Sequence, residues 1–325
     1  MKLLYMPHEY SQQRQRERKA HIYPVLMAME ATYYKKLNHH VAWRSDGTLT
    51  GHDYIWYDRV IHKPEGLPFL DLPKPDRHLT NAMQYAYNNG NFKYTPGTYI
   101  QAASSCWWGK CTFCVEKDKP YIVREVADVI DEIKECKSLG YREIFDDSGT
   151  FPIGGWLDEF LDKFRRVEGI YLGCNLRLGD WDYSNMFSSG FRMVLFGVES
   201  ANQSTLDKIN KGVKVEDIKY IKKAAESGLE PHIAVMFGYP WETDSDSINT
   251  LRLVHYLLKK GHAKTAQASF YTTRETANES QRRYVRRIYD VAWSPRFWLN
   301  KIKDIKDKDD LKYLWRAIKK GISRD

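Results

Sequence analysis

The chain has 325 residues, 42% of them apolar and 14% aromatic, with 50 Lys and Arg against 42 Asp and Glu and a formal charge of +8. That length suits one large or two smaller domains with a sizeable core, and no run of 18 or more apolar residues occurs, so a membrane span is not expected. The opening residues reach Pro7 too soon for a signal peptide, and five irregularly spaced cysteines do not make a secreted disulfide scaffold, so a reducing cytoplasm is the expected compartment. The basic balance would suit anionic substrates such as nucleic acid or phosphorylated metabolites. The acidic residues are interspersed, however, and the locally basic stretches 14–19 and 301–308 carry no nucleic-acid motif, so a surface of mixed sign is the preferred reading.

Taken in order, residues 2–7 read as a strand, 9–19 as a polar stretch and 22–37 as a helix with Leu26, Met29 and Tyr33 or Tyr34 on one face. Residues 40–43 and 54–61 read as two more strands, and strand–helix–strand opens a Rossmann-like unit that stops near residue 65. Residues 66–76 are a proline-rich connector within a linker that runs to 97, and 81–94 is a tyrosine-rich stretch without an evident role. From Thr98 the pattern alternates. Strands are expected at 99–103, 143–147, 169–177, 192–199, 232–237 and 265–271. Helices are expected at 123–139, 155–166, 204–209, 215–227 and 245–260, with a shorter turn at 182–188. Many helices stop at glycine: Gly140, Gly169, Gly190, Gly228 and Gly261. Such alternation implies a parallel sheet with right-handed crossovers, and six units are too few for a closed eight-stranded barrel. The tail reads as two helices, 282–297 and 299–322, with a turn at Pro295–Trp298, bracing or covering the barrel over residues 276–325.

The chemistry concentrates in Cys106-Trp107-Trp108-Gly109-Lys110-Cys111-Thr112-Phe113-Cys114, where three thiols fall within nine positions. Thiolates on one short loop can be aimed at a soft metal or an iron–sulfur cluster. Zinc would want a fourth Cys or His nearby, and His232 and His262 are remote. The spacing also occurs in plant-type ferredoxins, where a distant cysteine completes the set. The spare cysteines are Cys136, on the apolar helical face of Val126, Val129, Ile130 and Ile133, and Cys174, on the apolar strand face of Ile170, Leu172 and Leu176. Both read as packing. Three protein ligands for four irons leave one iron open to a small molecule.

The strand ends carry further polar residues. Asp146, Asp147 and Ser148 follow the second barrel strand, where carboxylates and carbonyls suit an ammonium group or, alternatively, form a helix cap or turn. Asn175 and Arg177 share the face opposite Cys174, and Arg177 can grip a carboxylate with its fork or form a structural salt bridge. Gly197 and Glu199 share a face at the end of the fourth strand, the glycine leaving room for a close approach. The fifth strand runs into Phe237-Gly-Tyr-Pro-Trp-Glu-Thr243. Trp107, Trp108, Tyr271, Thr272 and Thr273 are candidate pocket linings or barrel plugs.

The cysteine loop, with Phe113 before its last thiol, resembles the cluster loop of the radical S-adenosylmethionine (SAM) superfamily, with one residue more in the first gap than the usual Cys-x3-Cys-x2-Cys. Gly197-Val-Glu-Ser200 is similar to that family's Gly-x-Glu-Ser segment, residues 202–212 to its continuation, and Gly238-Tyr-Pro-Trp-Glu-Thr243 to its Gly-x-Pro-x-Glu-Thr turn. The resemblance implies an open six-stranded parallel partial (β/α) barrel and a [4Fe-4S] cluster on Cys106, Cys111 and Cys114. It also implies SAM held near Phe113, Asp146, Asp147, Ser148, Asn175, Arg177, Glu199, Ser200 and Gly238. It implies an enzyme that cleaves SAM to a 5′-deoxyadenosyl radical, which takes hydrogen from a small-molecule or peptide substrate. An external electron donor such as flavodoxin or ferredoxin is implied as a partner. The N-terminal unit resembles a cut-down form of the cobalamin-binding domain attached to one subfamily. The Asp-x-His-x-x-Gly cobalamin signature is absent, so cobalamin is an alternative and not the expectation. A cobalamin-dependent methyltransferase and a ferredoxin-like electron carrier remain the competing readings.

Overall fold

The computed structural model describes residues 1–7, 22–44, 56–87, 89–271 and 279–322. The chain divides into two compact units, one made of residues 1–104, 122–147 and 309–325, the other of 105–121 and 148–308.

In the first unit, β1 (Lys2–Tyr5), α1 (Val25–Lys36), β2 (His40–Trp43) and β3 (Arg59–Ile61) form a parallel three-stranded sheet of order β2-β1-β3 with its crossover helix. This is the expected Rossmann-like opening. The third strand is shorter than the expected 54–61; positions 54 and 55 lie outside the described residues, as does the polar stretch 9–19. Helix α1 departs from the one-faced expectation. Val25, Met27, Ala28, Met29, Glu30, Ala31 and Thr32 are all buried, while Leu26 is only half-buried. The cause is a second covering layer. Leu3, Tyr5, Met27, Ala31 and Ile61 form a core that Leu79 joins, and the connector closes over the polar side of the helix. Thr32 Oγ1 accepts from the Asp76 amide at 2.7 Å, and the Glu30 carboxylate accepts from the Glu65 and Gly66 amides at 2.9–3.0 Å. A helix covered on all sides carries no amphipathic signature.

The stretch 81–94 also acquires a role. Asn89 and Asn91 donate to the Tyr99 hydroxyl, Phe92 packs edge-on against Tyr99, and the Lys93 and Tyr94 amides donate to Glu143. Arg77, from the connector, reaches Glu132 at 2.8 Å, and Arg124 reaches the other oxygen of the same carboxylate at 2.6 Å. The triad is almost wholly buried.

The larger sheet has six strands in the order β4-β7-β8-β9-β10-β11. They are β4 (Gly97–Ile100), β7 (Glu143–Asp146), β8 (Tyr171–Leu176), β9 (Phe191–Glu199), β10 (Glu230–Phe237) and β11 (Thr265–Phe270), with parallel registers. Spatial order follows chain order, as in a partial (β/α) barrel open at both edges. The first strand ends before the expected Ala103. The Ala102 amide is taken by the Asp146 carboxylate at 2.7 Å and its carbonyl by the Arg124 amide. The chain then leaves the sheet, and β5 (Ala103–Ser104) pairs antiparallel with β6 (Ile122–Val123). Gly140, Gly169, Gly190, Gly228 and Gly261 all adopt positive φ, as helix stops should.

In the second unit, rings of Phe151, Trp156, Phe160, Phe164 and Phe191 pack as a cluster. The tail differs from the expected two helices. It forms three, α8 (Glu279–Arg287), α9 (Pro295–Lys303) and α10 (Lys308–Ile322). Pro295 stands at the first position of α9, where its missing N–H costs nothing, so the expected turn lies before it. The helix expected from 299 breaks after Lys303, where Asp304 is held by Lys264 Nζ at 2.7 Å. The last helix braces the first unit through Arg142–Asp309 at 2.7 Å and a Lys93–Asp310 ion pair. No helix among the described residues is long and apolar enough to cross a membrane.

Candidate active site

The cysteine loop belongs to the second unit. Its turns are built by local sequence. Ser105, Gly109 and Asp118 take left-handed backbone. The Cys114 amide donates to the Cys111 carbonyl at 3.2 Å, and the Glu116 amide donates to Cys114 Sγ at 3.4 Å. Cys111 is buried, while Cys106 and Cys114 are half-buried. Burial pushes the Cys111 thiol up; Lys211 and Arg177 pull it down, and the two neighbouring thiols push it further up. Cys111 therefore lies in electrostatic range of both neighbouring thiols and of two cations. Among the described residues no three or more Cys, His, Asp or Glu side chains surround a single point as ligands of one ion would. A cubane asks for something else, since each thiolate takes a different iron.

The loop is tied to the segment after β9. The Thr112 amide donates to the Ile209 carbonyl at 3.0 Å, and Trp108 Nε1 donates to the Asn210 carbonyl at 2.8 Å. Gly212, at φ +67°, lies so close to Trp108 that an added Cβ would sit 2.0 Å from the indole ring. Arg177 lies with its guanidinium 5.2 Å from the Trp107 ring centre and 4.7 Å from that of Trp108, donates to the Lys211 carbonyl, and is in electrostatic range of the Cys111 and Cys106 thiols. Lys211 Nζ in turn pairs with Glu199 Oε1 at 2.8 Å and stands 5.8 Å over the Phe113 ring. Gly197 does leave room, and the groups that use it are these: a Cβ there would meet Glu199 Oε1 at 2.4 Å and Lys211 Nζ at 2.7 Å. Glu199 follows a register shift between β9 and β10 and holds φ +62°, an uncommon conformation for a glutamate.

Cys106, Cys111, Cys114, Phe113, Arg177 and Glu199 thus come together, with Lys211 as the link. Ser148 and Asn175 meet each other instead. Asn175 Nδ2 donates to the Ser148 carbonyl at 2.9 Å, and the Asn175 carbonyl accepts from Phe151 at 2.8 Å. The Ser200 hydroxyl accepts from both the amide and the side chain of Asn202, at 3.1 and 3.2 Å, fixing the turn after β9. Gly238, at φ +88°, donates its amide to Glu242 at 2.6 Å. Asp146 and Asp147 belong to the first unit. Asp146 holds the Ala102 amide, while the Asp147 carboxyl reaches solvent, although most of its surroundings are protein. Burial and then the charge of Asp146 push it up to about 7.

Sequence reasoning missed Lys211 and Tyr239. Asn210 and Gly212, both left-handed, mark the turn in the sequence, but nothing local tells where Lys211 points. Tyr239 is 1% exposed and its hydroxyl has no partner. Burial, then Glu199, Glu242, Tyr271 and Cys111, drive its ionisation far above the ordinary phenol range. Its ring lies 5.6 Å from Trp241 and 4.9 Å from Tyr271. Thr272 and Thr273 lie outside the described residues. Cys136 and Cys174 are fully buried in α2 (Val126–Ser138) and β8, and burial pushes the Cys136 thiol up to about 12.

The sequence model of the radical SAM superfamily matches residues 103–254. A candidate methylthiotransferase of Methanocaldococcus jannaschii is 26% identical over 234 residues, covering 63% of this chain and 51% of the relative. The chain thus spans about half the length of the curated relative it matches. Among solved structures, the radical SAM methyltransferase TsrM of Kitasatospora setae, with tryptophan and a SAM analogue bound, is similar at a TM-score of 0.49 and 20% identity, over 60% of this chain and 38% of that one. The cobalamin-dependent SAM radical enzyme OxsB is similar at 0.48 and 15%, over 70% and 34%. Methylornithine synthase is similar at 0.47 and 13%, over 61% and 62%. The cysteine loop and the four barrel strands β7 to β10 lie within the residues that match the radical SAM model.

Proposed function

We propose that this protein is a radical SAM enzyme whose [4Fe-4S] cluster is held by Cys106, Cys111 and Cys114 and whose substrate is a peptide or natural-product-like molecule. When bound, the cluster and SAM together supply a one-electron cleavage of the sulfonium and a 5′-deoxyadenosyl radical that takes hydrogen from an unreactive carbon. The observation that carries the reading is three thiols on one loop with two buried cations, Arg177 and Lys211, beside Cys111. Two such cations would offset part of the negative charge that three thiolate ligands bring to a buried site.

The residues fit such a ligand pair. Buried polar atoms without partners stand around the same loop and turn: Trp107 Nε1, the Tyr239 hydroxyl and Glu242 Oε1. A buried donor or acceptor left unmade is costly, and a polar ligand can satisfy it. Glu199 offers a carboxylate suited to a vicinal diol, held in place by Lys211. Asn175 holds the Ser148 loop, and Glu242 holds the Gly238 turn. An external one-electron donor completes the system.

Cobalamin has no part in the proposed reaction, since the Asp-x-His-x-x-Gly signature does not occur in these residues. The test is anaerobic reconstitution with iron and sulfide, then dithionite and SAM. The expected product is 5′-deoxyadenosine, lost when any one of Cys106, Cys111 or Cys114 is replaced by alanine. No product above background, or a cluster that needs Cys136 or Cys174, would defeat the reading and favour a ferredoxin-like carrier.

A further inference from the structure

We propose that Arg177 is a positioning residue of the cysteine loop itself, clamping the long Cys106–Cys111 segment and making its cluster easier to reduce. The inference rests on the iron–sulfur reading above and deepens it.

Arg177 directly follows β8 and is 8% exposed. A guanidinium stays protonated when buried, so it needs compensation. Among the described residues it makes no salt bridge within 4 Å to a carboxylate. Glu199, an acid in its electrostatic range, is already paired with Lys211. What Arg177 does touch is the loop. One side of the fork donates to the Lys211 carbonyl, and the Cys111 and Cys106 thiols are in electrostatic range. The rings of Trp107 and Trp108 flank the guanidinium and stand 88° to each other. These two tryptophans are the first two of the four residues between Cys106 and Cys111, the part of the loop that is one residue longer than usual.

The arrangement has a physical purpose. A longer loop has more conformations to lose, and three contacts remove them: Trp108 Nε1 to the Asn210 carbonyl, the Trp108 ring on Gly212, and the guanidinium against both indoles. The same guanidinium would bring a fixed positive charge, flanked by the two indoles, close to a cluster held by Cys106 and Cys111. Net charge, hydrogen bonds to sulfur and solvent exposure are the factors that set a cluster's potential. A cation stabilises the added electron, so losing it should move the midpoint to more negative values.

The test uses the reconstituted full-length chain without SAM and follows the reduced cluster by EPR in a redox titration. At the wild-type midpoint, Arg177→Gln should lower the ratio of reduced to oxidised cluster about tenfold, a shift of about 59 mV for one electron. Arg177→Lys, which returns the charge without the fork, should recover most of that loss. An Arg177→Gln ratio within twofold of wild type would overturn the proposal. Should Arg177→Gln assemble no cluster, wild-type protein labelled with 15N-arginine decides. Pulsed EPR should find a nitrogen weakly coupled to the reduced cluster, and its absence would overturn the proposal. Failure of the underlying reading looks different, since the wild-type chain would then hold no cluster on the three loop cysteines.

Discussion

Gly212 offers the sharpest quantitative test of how the loop is held. Replacing it by alanine incurs two separate costs. The first is conformational: φ is +67°, and a non-glycine residue there loses about 1–2 kcal/mol. The second is steric. The new Cβ would lie 2.0, 2.3 and 2.7 Å from three atoms of the Trp108 ring, which must swing away. In moving, the indole gives up its 2.8 Å hydrogen bond to the Asn210 carbonyl, about 1 kcal/mol, and its stacking on Arg177, about 1 kcal/mol. The expected total for Gly212→Ala is about 3–4 kcal/mol in chemical denaturation of the apoprotein, with reduced iron uptake. In a Trp108→Ala background only the conformational cost remains, so the same change should cost about 1–2 kcal/mol and the pair should couple by about 2 kcal/mol. Equal costs in the two backgrounds would refute the idea that Trp108 is what requires glycine at 212.

Single alanine substitutions of Cys106, Cys111 and Cys114 should each abolish stable cluster assembly, measured as iron per chain, while Cys136→Ala and Cys174→Ala should retain it and lose only about 1 kcal/mol of packing. Glu132→Gln should destabilise the chain by about 3–5 kcal/mol in the same denaturation assay, because it leaves Arg77 and Arg124 buried against a neutral amide. His232 is buried and pushed down to about 4, chiefly by burial, and Nδ1 lies 2.6 Å from Thr265 Oγ1. The unfolded state therefore binds more protons between pH 6.5 and about 4, so this histidine's contribution is present above pH 6.5 and is lost as pH falls through that window. A denaturation series over pH 4–7 should show a shallower acid loss in His232→Gln, and an unchanged slope would refute the assignment.

Several features were legible locally. Five glycine helix stops all took left-handed backbone, because a helix end is decided by a few consecutive residues. The six parallel strands followed from period and alternation, and Cys136 and Cys174 were placed in the core by the faces they share with aliphatic neighbours. The cysteine loop was evident because three ligands within nine positions constitute a local signal. Where the expectation failed, a distant segment intervened. Helix α1 lost its one-sided character once the connector covered it. The first barrel strand was cut short because a carboxylate from β7 took the Ala102 amide.

The sequence by itself therefore determined the strand and helix alternation and the identity of the thiol ligands, since both depend on near neighbours along the chain. Tertiary structure alone decided what surrounds those thiols. Arg177 is 66 positions from Cys111, and Lys211 is 100 positions from it. No pattern in one dimension says that a strand-end arginine turns toward two indoles, or that a lysine after a short helix folds back onto a glutamate twelve residues earlier. Charge acts through space, and only the folded chain sets the distances over which it acts.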